Sequence, residues 1–149
     1  MKKGHLLSYD GTFEGFLTCV FTAFEQKLVV TAISPGAEIQ QDVFSVWELI
    51  ITNIQKAARI EKAIKKMLPA RAVSQLYYSF LSEQPGIEMI ILKYLRSVFS
   101  NKNFSSTDYG DETVLKISQT AKKVSREKHR MEAFVRFRLT KDDIFFATI

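Results

Sequence analysis

The chain has 149 residues, of which 46% are hydrophobic and 12 are phenylalanine, so it is long and apolar enough to bury the core of one domain. Lys and Arg outnumber Asp and Glu by 21 to 16, giving a net charge of +5 that favours an anionic partner. A single cysteine, Cys19, excludes an internal disulfide and a cysteine-based metal cage. No signal peptide and no run of ~20 apolar residues are present, which predicts a cytoplasmic protein without a membrane segment.

The first third of the chain predicts strands on either side of a helix. Residues 5–10 form a short strand, Thr12 caps a helix over residues 13–26, and residues 27–33 form a buried strand that ends in a turn. Residues 43–52 are apolar and β-branched, which is typical of another strand.

Helices dominate the middle of the chain. Asn53 is placed to cap a helix over residues 54–68, and Pro69 ends that helix. Further helices are predicted over residues 70–82 and from Pro85 onward. A polar segment at residues 100–111 then precedes a helix over residues 112–131.

The period of the hydrophobic pattern changes to two at Ala133. We therefore expect a strand over residues 133–139, a turn, and a returning strand that runs to Ile149. Together these elements predict a single α+β domain over residues 1–149, with several helices packed on a small, mostly antiparallel sheet that includes the C-terminal β-hairpin. Because the chain stops inside an apolar strand, we also expect an N-terminal fragment or truncated form of a longer domain, and a homodimer is one way to cover the exposed edge.

Positive charge is concentrated between Lys116 and Arg138. Eight Lys or Arg face only two acidic residues there, a local excess of six that accounts for the whole net charge. Phosphate groups are the natural partners of such a surface, and on a strand Phe134 would lie beside Arg136 and Arg138 and could stack a base. The predicted nucleic-acid-binding residues are Lys122, Lys123, Arg126, Arg130, Phe134, Arg136 and Arg138.

A solvated helix is the alternative explanation. Lys123 with Glu127, and Lys128 with Glu132, have the four-residue spacing of surface ion pairs. A second basic group over residues 56–71 is typical of the outer surface of an amphipathic helix.

Catalytic residues are harder to find. Asp10 follows the first strand, where catalytic carboxylates often lie, although an Asp-Gly turn explains it as well. Glu127 and His129 are a candidate base and acid, but neighbouring helical positions point apart. Phosphate-binding loops, nucleophile elbows and zinc-ligand spacings are all missing from the sequence, so we predict no metal and no cofactor and leave open whether the protein is an enzyme.

Two stretches, YDGTFEGFLTCVFTAFE (9–25) and VSREKHRMEAFVRF (124–137), resemble a bacterial family described as a "probable DNA metabolism protein", domain of unknown function 4130. Residues 80–99 and the closing FFATI also fit it. The resemblance implies a role in DNA repair or modification, with a radical SAM protein and a uracil-DNA-glycosylase-like protein as partners. Family members continue past the last strand, and this sequence lacks that part. The positions that match the family's motifs are Tyr9, Asp10, Gly11, Phe13, Arg126, Glu127, His129, Arg130, Met131, Phe134, Arg136 and Phe137.

The sequence therefore favours a DNA-associated protein of a repair or modification system. Two alternatives come from other classes: a subunit that docks a radical SAM partner, and a base-processing enzyme that uses Asp10, Glu127 and His129. DNA is the expected partner, and strand preference and oligomeric state stay open.

Overall fold

The computed structural model describes residues 3–36 and 43–142, with side chains described as far as Phe134. Three strands and five helices occupy these ranges, which confirms the α+β class. The elements are β1 (Gly4–Tyr9), α1 (Phe13–Glu25), β2 (Val29–Pro35), β3 (Ser45–Leu49), α2 (Ile54–Met67), α3 (Ala70–Leu81), α4 (Ile87–Ser100) and α5 (Glu112–Asp142).

The three strands form one sheet in the order β2-β1-β3, and both pairings are parallel. The prediction of a mostly antiparallel sheet was wrong. Alternating hydrophobicity marks a strand but carries no direction, whereas the helix between β1 and β2 brings the chain back so that both strands run the same way. All three carboxyl ends therefore lie at one edge of the sheet, beside the N-terminus of α1.

Both predicted N-caps are confirmed. The Thr12 hydroxyl accepts a hydrogen bond from the Gly15 N–H at 3.0 Å, and the Asn53 side chain accepts one from the Lys56 N–H at 3.1 Å. Each bond satisfies one of the N–H groups that a helix leaves without an internal partner, so these side chains fix where α1 and α2 begin.

The core lies between the sheet and the helices. Phe16, Leu17 and Val20 of α1 are buried as their helical spacing predicts, and Ile91, Leu95 and Val98 of α4 join them. Cys19 is fully buried, and burial raises the pKa of its thiol to about 12. The thiol is therefore protonated at neutral pH and fills space in the core.

Helix α5 differs most from expectation. A helix was predicted over residues 112–131 and a strand from Ala133, yet the backbone is helical to Asp142. Residues 112–142 contain neither Gly nor Pro, so the sequence carries no signal that stops the helix. The first strand and the start of the turn of the predicted hairpin are therefore wrong, and its second strand lies outside the described residues.

Replacing Ala133 with proline tests this helix. Proline within a helix costs about 3 kcal/mol because it removes one hydrogen bond and clashes with the preceding turn. Since residues 126–134 are exposed, we expect the circular dichroism at 222 nm to weaken while the urea midpoint of the core stays unchanged. Ala133→Ser is the matched control and should alter neither signal. A large drop in the urea midpoint would instead indicate that residues 133–139 pack as core.

Candidate functional site

The first half of α5 is held by the core. Val114, Ile117 and Ala121 are buried, and the Ser79 hydroxyl of α3 donates a buried hydrogen bond to the Ile117 carbonyl at 3.1 Å. Helix α5 packs against α3 and α4. This contact fixes where α5 leaves the body of the molecule.

The second half of α5 extends past the end of α3. Ala70, the first residue of α3, lies nine residues before Ser79, and Arg126 lies nine residues after Ile117. Lys128 lines a cleft with Val73 and Tyr77 of α3. Because α3 has 12 residues and α5 has 31, α3 cannot cover the whole of α5, and every described side chain from Arg126 to Phe134 is exposed.

Four of the predicted cations lie on one exposed surface of this helix, the α5 basic face. On a helix with ~100° between residues, they fall within an arc of roughly 100° that lies opposite the buried stripe. Among the described residues, none of the four has an acidic side chain within ion-pairing distance. The α5 basic face consists of Lys122, Lys123, Arg126 and Arg130.

The ion pairs that would have neutralised this helix are not formed. Within the described part of the chain, Lys123 does not pair with Glu127, and Lys128 does not pair with Glu132. Instead Glu132 lies 3.8 Å from the Nδ1 of His129, with both side chains exposed. The cations of the α5 basic face are therefore available to an external anion.

Phe134, Arg136 and Arg138 were predicted to continue this surface on a strand, but they lie on the helix α5. Phe134 is 60% exposed and follows Arg130 by four residues, so the two lie on adjacent turns of one side of the helix. The side chains of Arg136 and Arg138 lie outside the described residues. Their backbone is helical, so the alternation that placed Phe134, Arg136 and Arg138 on one face does not apply.

The second basic group, on α2, is engaged within the protein. Lys56 and Arg59 lie over the ring of Phe21, with 5.5 and 5.4 Å from the cation to the ring centroid. Lys65 pairs with Glu61 at 2.9 Å. These contacts give three of the α2 cations a structural role, in contrast with the α5 basic face.

Asp10 lies at the carboxyl edge of the sheet. Its carboxylate accepts hydrogen bonds from the Thr12 hydroxyl at 2.6 Å, the Thr12 N–H at 2.9 Å and the Thr52 hydroxyl at 2.8 Å. These bonds, those of Thr12 first, hold the pKa of Asp10 below its usual range. The carboxylate therefore stays ionised and joins the loop after β1 to the segment after β3.

The three catalytic candidates are not brought together. Asp10 is bonded to residues of its own loop and to Thr52, whereas Glu127 and His129 are exposed on α5. Two residues apart, they are separated by about 200° around the helix axis. Groups of three or more His, Cys, Asp or Glu side chains that could hold a metal ion do not occur among the described residues.

Two contacts were missed from the sequence. Thr52 reaches Asp10 only because β3 pairs beside β1, and a separation of 42 residues gives no local signal for that pairing. The Tyr9 hydroxyl donates a hydrogen bond to the buried Glu88 at 3.0 Å, across 79 residues. An acidic residue in the first turn of α4 is so common that its burial could not be anticipated.

Residues 85–149 match the family model for a domain of unknown function, DUF4130. We refer to residues 85–149 as the DUF4130 segment. The family assignment made from the sequence is confirmed there, and the segment includes the motif at residues 124–137, whereas the motif at residues 9–25 precedes it. No curated protein and no solved structure matches the chain.

The DUF4130 segment contains α4 and α5, and hence the whole α5 basic face. The sheet and α1 to α3 precede it.

Within the described ranges, no helix combines the length and the apolar character needed to cross a bilayer.

Gly15 shows how tightly Asp10 is placed. A methyl group at Gly15 would lie 2.3 Å from the Asp10 Oδ1 and 3.0 Å from the Thr52 hydroxyl. Gly→Ala in a helix normally stabilises by about 0.5–1 kcal/mol. Here we expect Gly15→Ala to lower the free energy of unfolding by about 1 kcal/mol in urea titrations, because the carboxylate must move and lose its bonds.

The double variant Asp10→Ala with Gly15→Ala provides the control. With the carboxylate gone, the closest clash is absent, so the Gly15 change should become neutral or stabilising relative to Asp10→Ala alone. An equal loss in both backgrounds would contradict the contact between Asp10 and Gly15.

The lowered pKa of Asp10 predicts a pH-dependent stability. A carboxyl group whose pKa is lower in the folded than in the unfolded state stabilises above its unfolded pKa of about 4, and this stabilisation is lost as the pH falls through the folded value. We therefore expect Asp10→Ala to reduce the free energy of unfolding at pH 7 and to have a smaller effect below about pH 4. An Asp10→Ala deficit that stays constant across this pH range would contradict the prediction.

Proposed function

We propose that this protein associates with DNA through the α5 basic face, as part of a DNA repair or modification system. The observation that carries the proposal is the exposed state of Lys122, Lys123, Arg126 and Arg130, which have no acidic partner among the described residues. The family resemblance, with its repair context, supports the choice of DNA over other polyanions.

The dimensions of the extension suit a duplex. Residues 126–142 form 17 residues of helix, or about 25 Å at 1.5 Å per residue. A helix of this kind has a diameter of about 10–12 Å, close to the ~12 Å width of the major groove. Lys and Arg side chains along it can reach phosphates, and each phosphate neutralised releases counterions.

Phosphate contacts of this type do not depend on base sequence. The α5 basic face is therefore proposed to supply affinity and orientation rather than sequence selection. An exposed Phe134 beside Arg130 adds a ring that could stack on an unpaired base.

The proposal predicts a salt-dependent affinity that belongs to α5 alone. In fluorescence anisotropy titrations with a labelled duplex, we expect Arg126→Ala with Arg130→Ala to weaken binding at low salt by about tenfold or more. The slope of log affinity against log salt should fall by about two, because each lost phosphate contact contributes about 0.9. The matched control is Lys62→Ala with Lys66→Ala on α2, which removes the same charge from exposed positions and should preserve most of the affinity.

Absence of binding at low salt, or an affinity that ignores salt, would contradict the proposal. Equal losses in the α5 and α2 variants would show that only net charge matters.

A second candidate function is docking to a protein partner, for which the family resemblance suggests a radical SAM protein or a uracil-DNA-glycosylase-like protein. The supporting observation is the apolar surface on the extension, where Met131 is 71% exposed and Phe134 60%. Under this alternative the partner would co-purify with the protein, and charge reversal at Arg126 and Arg130 would leave DNA binding unchanged.

A further inference from the structure

A cleft of about 550 Å³ opens at the carboxyl ends of β1 and β2, where parallel sheets commonly bind ligands. Tyr9, Ser34 and Pro35 come from the strand ends, and residues 83–86 with Glu88 form the start of α4 on the other side. None of its described lining residues belongs to α5, so it is separate from the α5 basic face.

Glu88 is the notable side chain of this cleft. It is only 7% exposed, and one carboxylate oxygen, Oε1, accepts the hydrogen bond from Tyr9. Within the described residues, Glu88 has no cationic partner, although the chain carries 21 Lys and Arg.

The second oxygen of Glu88, Oε2, has no hydrogen bond to another described residue. No side-chain oxygen among these residues is both fully buried and without a partner, so Oε2 retains some exposure, and Glu88 lines the cleft. Burial and the Glu88 carboxylate raise the pKa of Tyr9, so the phenol stays neutral and continues to donate. The cleft therefore presents a fixed anionic acceptor to any molecule that enters it.

We propose that this cleft binds a guanidinium-type cation, which donates an N–H···O hydrogen bond to Oε2 of Glu88. A guanidinium has several N–H donors and is more weakly hydrated than an ammonium group. It also stacks on aromatic rings, and Phe80 and Tyr9 line the cleft together with Ile33 and Pro85. Glu83, on the same rim, adds negative charge that attracts a cation.

Isothermal titration calorimetry of the full chain with agmatine tests the proposal. We expect saturable binding of agmatine and at least about tenfold weaker binding by Glu88→Gln, which keeps the size of the side chain and can still accept from Tyr9 but loses the charge. Glu25→Gln, which removes a charge from an exposed position on α1, is the matched control and should bind like the wild type. Amide shifts of Gly86 and Glu88 in NMR spectra of the wild type locate the site even if the variant folds poorly.

Two further ligands refine the assignment. A tripeptide with a central arginine tests whether the site accepts an arginine side chain of a polypeptide. Binding of both agmatine and the tripeptide would indicate that it does, and binding of agmatine alone would indicate a free small molecule. Either result supports the site. Binding of n-butylamine as tight as that of agmatine would overturn the guanidinium assignment. Absence of agmatine binding, or equal binding by Glu88→Gln, would overturn the site itself.

Discussion

Helix α5 is much longer than the helix α3 on which it packs, and this difference in length leaves the second half of α5 exposed. Helix α3 has 12 residues and helix α5 has 31, and the two are fixed against each other by the Ser79–Ile117 hydrogen bond and the buried side chains around it. A short helix can cover only the part of a long one that runs beside it. The basic residues of α5 are exposed because they lie opposite the buried stripe of this helix, and burial would be unfavourable for charged groups.

Every described side chain of α5 from Arg126 to Phe134 is exposed, so this part of the helix must be stable largely on its own. Isolated helices of this length are marginal in water. Lys122, Arg126 and Arg130 follow one another at intervals of four, so their like charges repel along one side of the helix. A bound polyanion would remove that repulsion and stabilise the helix at the same time. The same basic residues thus destabilise the helix when no polyanion is bound and would stabilise it when one is. The helicity of residues 126–142 is therefore linked to the occupancy of the α5 basic face.

Signals between residues close in sequence predicted most of the helices and strands. How these elements pair and pack depends on residues far apart in sequence, for which the sequence carries no local signal. Thr12 and Asn53 located two helix starts because capping depends on residues three apart, and the stripe of α1 located its buried side. The direction of the strands depends on how β1, β2 and β3 pair, which alternation does not encode. In α5 the pattern after Ala133 fits a strand, yet the chain continues as a helix because no Gly or Pro interrupts it. The spacing of the basic residues already places them opposite the apolar stripe of α5, whereas the length of α5 that α3 leaves uncovered depends on packing.

The DUF4130 segment is joined to the preceding part of the chain by buried contacts of two kinds. Its helix α4 contributes Ile91, Leu95 and Val98 to the same hydrophobic cluster as Leu7 and Phe16, and Glu88 at its start bonds Tyr9 at the end of β1. Removing residues 3–36 would therefore expose that apolar surface and leave the Glu88 carboxylate without its donor. The buried Glu88 and the exposed α5 basic face both belong to the family segment, but both depend on the earlier part of the chain: Glu88 accepts a hydrogen bond from Tyr9 of β1, and α5 packs against α3.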